Sequence, residues 1–268
     1  MYLLEEPPRI AALQEPLIGM HLGLFASYLV ENGEGTLPEG TRVRDLRDDD
    51  RYFFSGRHQA NWGPPLRKLI LKRFAPHVSG RTRCLVVQEP NGSEGADLVM
   101  GVLPRSHLLF LARDGRDVVD SLLDAYKPGA WLDEAFGVGR DLDDRARGRL
   151  IEREAQRWVA RAEIVSRAYE RHPPGRRLLV RYEDLLADTP KELRSIYSWL
   201  GLAPPGDLME RVEGRAFGST PDAERGPGKF ARAATPGLWR NNLNQDEQDC
   251  CEKIMGPMLK TLGYPVGP

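Results

Sequence analysis

The chain has 268 residues, 41% of them hydrophobic and 29% charged, with a formal net charge of −1. That size and balance fit one soluble α/β domain whose core needs no disulfide framework. They exclude a global basic field for nucleic acid, and three cysteines and five histidines without metal-ligand spacing point to no metal and to a reducing, cytoplasmic compartment.

The opening residues, MYLLEEPPRI, have no basic n-region and no cleavage-like segment. Pro16 to Val30 is apolar but shorter than the ~20 residues a membrane span requires, and it contains His21. A buried helix is expected there, and no membrane span. Ala11-Ala12-Leu13 predicts a short strand ending at Glu15-Pro16, then a helix over 18–31 stopped by Asn32-Gly33-Glu34-Gly35. Residues 36–51 predict a charged surface loop, in which Asp48-Asp49-Asp50 reads as a solvated acidic run rather than a metal site. Pro64-Pro65 before Leu66, Leu69, Ile70, Leu71 and Phe74 predicts an amphipathic helix with proline at its start. Cys84-Leu85-Val86-Val87 reads as a central parallel strand, ending in the turn-forming Gln88-Glu89-Pro90-Asn91-Gly92-Ser93. Ala96 to Leu103 is expected to be helical and is closed by Pro104.

The segment LLFLARDGRDVVDSLLDAY, Leu108 to Tyr126, carries the strongest signal. An apolar strand, a turn with Arg113 and Arg116, and a helix opening near Asp117 form the geometry that aims backbone N–H groups and a positive helix end at an anion. Residues 127–145 predict a long, substrate-facing loop with Trp131 and Phe136, followed by a helix from Leu150 to Glu170. Leu178-Leu179-Val180 reads as a strand delivering Arg181-Tyr182-Glu183-Asp184 to its C-terminal end. Thr189-Pro190-Lys191-Glu192 reads as a capping box. Residues 202–236 form a Pro-, Gly- and Arg-rich stretch, and a final helix is expected over 245–262. No internal repeat stands out. Strands alternating with helices predict a single α/β domain over 1–268 with a mainly parallel central sheet flanked by helices. Ligands in such sheets bind at the carboxyl ends of the strands, where these turns fall.

The motifs resemble those of nucleotide-dependent sulfotransferases. LARDGRDVVDS is similar to that family's 3′-phosphate-binding element, in which an Arg and a Ser eight positions later hold the 3′-phosphate of 3′-phosphoadenosine 5′-phosphosulfate (PAPS). The matching residues are Arg113 and Ser121. Arg181 to Leu185 resembles the RYEDL segment, which places Tyr182 near the adenine. Arg232 to Trp239, RAATPGLW, resembles the RKGxxGxW segment, in which Arg232 would add a contact to the 3′-phosphate, although Ala233 and Ala234 replace its Lys and Gly. The resemblance covers roughly residues 82–264 and is closest to bacterial members. It implies a three-layer fold like that of P-loop NTPases, and a PAPS-dependent transferase acting on a hydroxyl or amine of a small molecule or glycan. Adenosine 3′,5′-bisphosphate (PAP) would be the nucleotide product.

Two departures from the pattern matter. No PRSGTTW-like loop for the 5′-phosphosulfate is present, so the expectation is a truncated chain that is weak or inactive, with a non-catalytic nucleotide-binding relative as the alternative. The histidine base of many members is also absent, and Gln88, Glu89 and Pro90 stand at its place. Glu89 is therefore the candidate catalytic base, against the plainer reading that it organises its loop, and Glu15 is a second candidate in a similar Glu-Pro setting. Arg113 has a plain alternative too, an ion pair with Asp114 or Asp117. An ATP-dependent kinase is disfavoured by the lack of GxxxxGK[ST].

Overall fold

The computed structural model describes residues 3–19, 22 and 53–267. Apart from its first residues, the helix expected over 18–31 lies outside the described residues, as does the loop carrying Asp48-Asp49-Asp50. In chain order the elements are β1 (Ile10–Gln14), α1 (Gln59–Phe74), β2 (Cys84–Gln88), α2 (Ala96–Val102), β3 (Leu108–Ala112), α3 (Gly115–Ala125) and α4 (Trp131–Phe136). There follow α5 (Asp144–Arg171), β4 (Arg177–Arg181), α6 (Tyr182–Ala187), α7 (Thr189–Trp199), α8 (Leu208–Glu213), α9 (Trp239–Asn242) and α10 (Gln245–Thr261). The expected alternation of strand and helix is present. β1 pairs with β2 in parallel, with Ile10 opposite Cys84 and Gln14 opposite Gln88, and β3 pairs with β4.

The chain divides into two compact units. The first comprises Met1–Phe110 and Ala160–Leu178, the second Leu111–Val159 and Leu179–Pro268. In the first unit Trp62, Leu66, Ile70 and Phe74 recur every four residues, so α1 presents one apolar stripe. That stripe packs with Leu98 and Val102 of α2 and with Ile18, Leu22, Phe54 and Leu103. The Trp62 indole N–H donates to the Ser55 carbonyl at 2.9 Å, so burying the ring leaves no orphaned donor. In the second unit Val119, Leu123, Ile151, Ala155, Ile196, Met255 and Leu259 are buried. A side chain at Gly115 would strike the Trp158 ring at 2.6 Å and Met255 Sδ at 2.7 Å, so glycine is what lets α3 start that close to its neighbours.

Four sequence expectations change. α1 begins at Gln59, which places Pro64 and Pro65 inside the helix rather than at its start. Residues 131–136 of the expected loop form α4, and α5 starts at Asp144 instead of Leu150. The cap of α7 is Asp188, whose side chain accepts the Lys191 N–H at 3.0 Å, while the Thr189 hydroxyl bonds back to the Leu185 carbonyl at 2.7 Å. Aspartate one residue earlier supplies the same acceptor to the open helix end.

Candidate functional site

The apolar run of β3 ends at Ala112, and Arg113 follows at its C-terminal end. Asp114 then caps α3: its carboxylate accepts the Arg116 N–H at 2.9 Å. The Asp114 N–H itself donates to Glu183 Oε1 at 3.0 Å, and Glu183 Oε2 accepts the Tyr264 hydroxyl at 2.9 Å. Burial and the Glu183 carboxylate hold the Tyr264 phenol well above its ordinary pKa. The expectation that N–H groups at this helix end would hold an anion therefore narrows. Carboxylates thus already take two of the N–H groups at this helix end, those of Asp114 and Arg116.

The two arginines of the turn have separate fates. Arg116 is 1% exposed. Its guanidinium grips the Asp114 carboxylate at 2.8 and 3.0 Å, reaches Glu252 on α10 at 2.8 Å and the Pro265 carbonyl at 2.9 Å, and lies 4.1 Å from the Trp239 ring centroid. Burial works to lower its pKa, and Asp114 and Glu252 outweigh that, so it stays charged as a structural cation. Arg113 is half-buried and carries no ion pair among the described residues. Its guanidinium lies 5.1 Å from the centroid of the Tyr182 ring, at the start of α6. No ion pair joins it to Asp114 or Asp117, although its charge works to lower the Asp117 pKa. Two of the residues singled out from sequence, Arg113 and Tyr182, thus meet.

Further along α3, aspartates at 117, 120 and 124 hold the segment 228–242. Asp117 accepts the Gly237 N–H at 2.6 Å and the Trp239 N–H at 3.3 Å. Asp120 pairs with Arg232 and accepts from the Asn242 amide at 3.1 Å. Asp124 accepts the Gly228 N–H at 2.6 Å and Lys127 at 2.8 Å. Burial pushes the Asp117 carboxyl up. For Asp124 burial acts the same way, but the bonds from Lys127 and Gly228 prevail and hold it below the usual range. Arg232 also donates to the Asp120 carbonyl at 3.1 Å, so its charge is committed to α3 next to Ser121. Ser121 is half-buried about two turns along α3, ~10 Å from the helix start by helical rise. The spacing of the three aspartates, visible in DVVDSLLD, was the signal that sequence reasoning passed over.

Glu89 belongs to the first unit. It follows β2, and its Oε1 accepts the Ile18 N–H at 2.9 Å. Glu15, at the equivalent position after β1, is exposed, and its own N–H donates to the Gln88 carbonyl at 2.9 Å. Both strands end in Gln-Glu-Pro in register, a short correspondence that the search for repeats missed. Cys251, on α10, is fully buried, and burial pushes its thiol up to about 12, which marks it as a core residue. Among the described residues no His, Cys, Asp and Glu group could hold a metal ion, and no helix is long and apolar enough to cross a membrane.

The model of a family described as "Sulfotransferase family" matches residues 47–205. No curated protein sequence matches the chain. Among solved structures, retinol dehydratase in complex with androsterone and inactive cofactor PAP is similar at 16% identity and a TM-score of 0.48, over 100% of this chain and 84% of that one. A mouse sulfotransferase complexed with PAP is similar at 13% identity and a TM-score of 0.48, over 97% and 88%. The sulfotransferase domain of the Synechococcus PCC 7002 olefin synthase is similar at 18% identity and a TM-score of 0.44, over 98% of each.

Proposed function

The chain belongs to the sulfotransferase family, and from that premise we propose that it transfers a sulfuryl group from PAPS to a hydroxyl or amine of a small molecule or glycan. The observation that carries the nucleotide half of this reading is Arg113. It is a cation at a strand's C-terminal end, without an ion pair among the described residues, held against an aromatic ring by Tyr182. The other arginines of this region, Arg116 and Arg232, are already matched to carboxylates. An unmatched guanidinium is the group that gains most from a phosphate, which it can grip with two parallel N–H bonds. In this reading Arg113 and the Ser121 hydroxyl hold the 3′-phosphate, and Tyr182 lies beside the adenine. Arg232 contributes less, because Asp120 already faces its charge.

The chemistry asks for a carboxylate as well. The acceptor's oxygen or nitrogen attacks sulfur, the bond from sulfur to the bridging phosphate oxygen breaks, and adenosine 3′,5′-bisphosphate leaves. The acceptor's proton passes to a base. Glu15, exposed at the end of β1, is the carboxylate this reading offers for that step.

The test begins with binding. Adenosine 3′,5′-bisphosphate is expected to raise the melting temperature of the wild-type chain, as any ligand of the native state alone does. Arg113→Ala, which breaks no ion pair among the described residues, is expected to stay folded and to lose that shift. A well-folded wild type with no shift would overturn the site. Binding without sulfuryl transfer would leave the non-catalytic relative as the better description.

A further inference from the structure

The two Gln-Glu-Pro turns are equivalent in sequence and opposite in environment. After β1, Glu15 and Leu17 sit in the left-handed region, with φ of 43° and 58°, where residues other than glycine are strained. The Glu15 side chain is exposed. Such a backbone persists only where its surroundings hold it. Two bonds do so: the Glu15 N–H donates to the Gln88 carbonyl at 2.9 Å, and the Ile18 N–H donates to Glu89 Oε1 at 2.9 Å. They bracket the strained residues at both ends, and both acceptors lie on the β2 turn.

The β2 turn is shaped around the Glu89 carboxylate. Oε2 is buried, and a side chain at Gly92 would occupy the space it fills. The Gly92 N–H closes the turn onto the Glu89 carbonyl at 3.0 Å. Gly19 and Gly92, and Gly19 and Gly95, approach so closely that a Cβ on Gly19 or Gly95 would collide with the opposite backbone. Three glycines therefore let the two turns close on each other with one carboxylate between them.

Resting on the sulfuryl-transfer reading above, we propose that Glu89 is a positioning residue: its Oε1 holds the Ile18 N–H and so fixes the strained Glu15–Ile18 turn, and it does not itself take the acceptor's proton. The bond from the Ile18 N–H asks Glu89 for an oxygen. A glutamine can do the same through its amide oxygen, whereas a proton acceptor cannot be replaced that way. Glu15 then stands as the carboxylate held outward by the turn.

Glu89→Gln and Glu89→Ala separate these roles. With PAPS and a phenolic acceptor, Glu89→Gln is expected to keep kcat within about threefold of wild type with the same pH profile, and Glu89→Ala to lose tenfold or more in kcat. Equal loss in both variants, or a pH profile altered in Glu89→Gln, would overturn the proposal. Hydrogen exchange at the Ile18 amide gives a readout that needs no turnover. Slow exchange is expected in wild type and Glu89→Gln and fast exchange in Glu89→Ala, and exchange as fast in Glu89→Gln as in Glu89→Ala would also overturn it. A wild type that shows this exchange pattern but transfers no sulfuryl group would refute the reaction and leave the positioning role standing. Should Glu89→Ala not fold, Gly92→Ala, which drives a methyl into the Glu89 carboxylate, is expected to speed exchange at Ile18.

Discussion

Between Asp114 and Asp124, α3 carries four aspartates, and each has taken a partner: Arg116, the Gly237 and Trp239 amides, Arg232 and the Gly228 amide. At the ends of β1 and β2 one carboxylate, Glu89, is enclosed by glycines, and its counterpart Glu15 is exposed. In the first region the fold matches each aspartate to an arginine or to backbone amides, and Arg113 has no ion pair among the described residues. In the second it turns one carboxylate onto a backbone amide and leaves another exposed. In both, surroundings and not residue type set one residue apart from its neighbours.

The sharpest way to break that contrast is Arg116→Ala. It would strand the Asp114 and Glu252 carboxylates and remove the cation stacked on Trp239. Breaking one partner from a buried pair costs about 3–5 kcal/mol. Chemical denaturation is expected to show a loss of that size. A loss under about 1 kcal/mol would mean Arg116 is no more structural than Arg113.

Asp124→Ala comes next. Its carboxylate loses bonds to Lys127 and the Gly228 N–H, for an expected about 1–3 kcal/mol near neutral pH. The pH dependence has a definite sign. The folded-state pKa of Asp124 is depressed, so its contribution is present above the unfolded carboxylate value of ~3.9 and is lost as pH falls through the folded value. The gap between wild type and Asp124→Ala should therefore close on acidification. Asp117, whose pKa is raised by burial, acts in the other direction, its contribution weakening as pH rises through the carboxylate range. A gap that widens on acidification would put Asp124 in the same class as Asp117.

Much of this was legible in the sequence for reasons of periodicity and punctuation. The strands at 84–88, 108–112 and 177–181 are short apolar runs bounded by turn residues, and α10 has Asn244 and Glu247 as a complete capping box. Arg113 and Tyr182 were both placed at strand ends, and there their side chains meet. What could not be read is pairing. Asp114 is a sequence neighbour of both Arg113 and Arg116, and the further partners that bury Arg116, Glu252 and the Pro265 carbonyl, lie more than a hundred residues away. Likewise the Glu89 carboxylate is fixed by the Ile18 amide, 71 residues away in the chain, through glycines whose close approach only the fold reveals.

The smallest expected effect on stability is the most telling about the nucleotide. Ser121 is half-buried and sits between Asp120 and Leu122 on α3, where its neighbour Asp120 binds Arg232 and Asn242. Replacing Ser121 with alanine removes a hydroxyl from a helix interior, where alanine is the better former, so stability should change by no more than about 0.5 kcal/mol. If the hydroxyl donates to the 3′-phosphate, the same change removes a bond to a charged group, for about 1.5–3 kcal/mol of affinity, or roughly tenfold to a hundredfold. Calorimetric titration with adenosine 3′,5′-bisphosphate and with adenosine 5′-phosphate separates the two. Ser121→Ala should weaken only the first, because the second has no 3′-phosphate to lose. Equal weakening of both would mean the serine acts on the helix and not on the ligand, and Arg113 would be left to hold the 3′-phosphate without it.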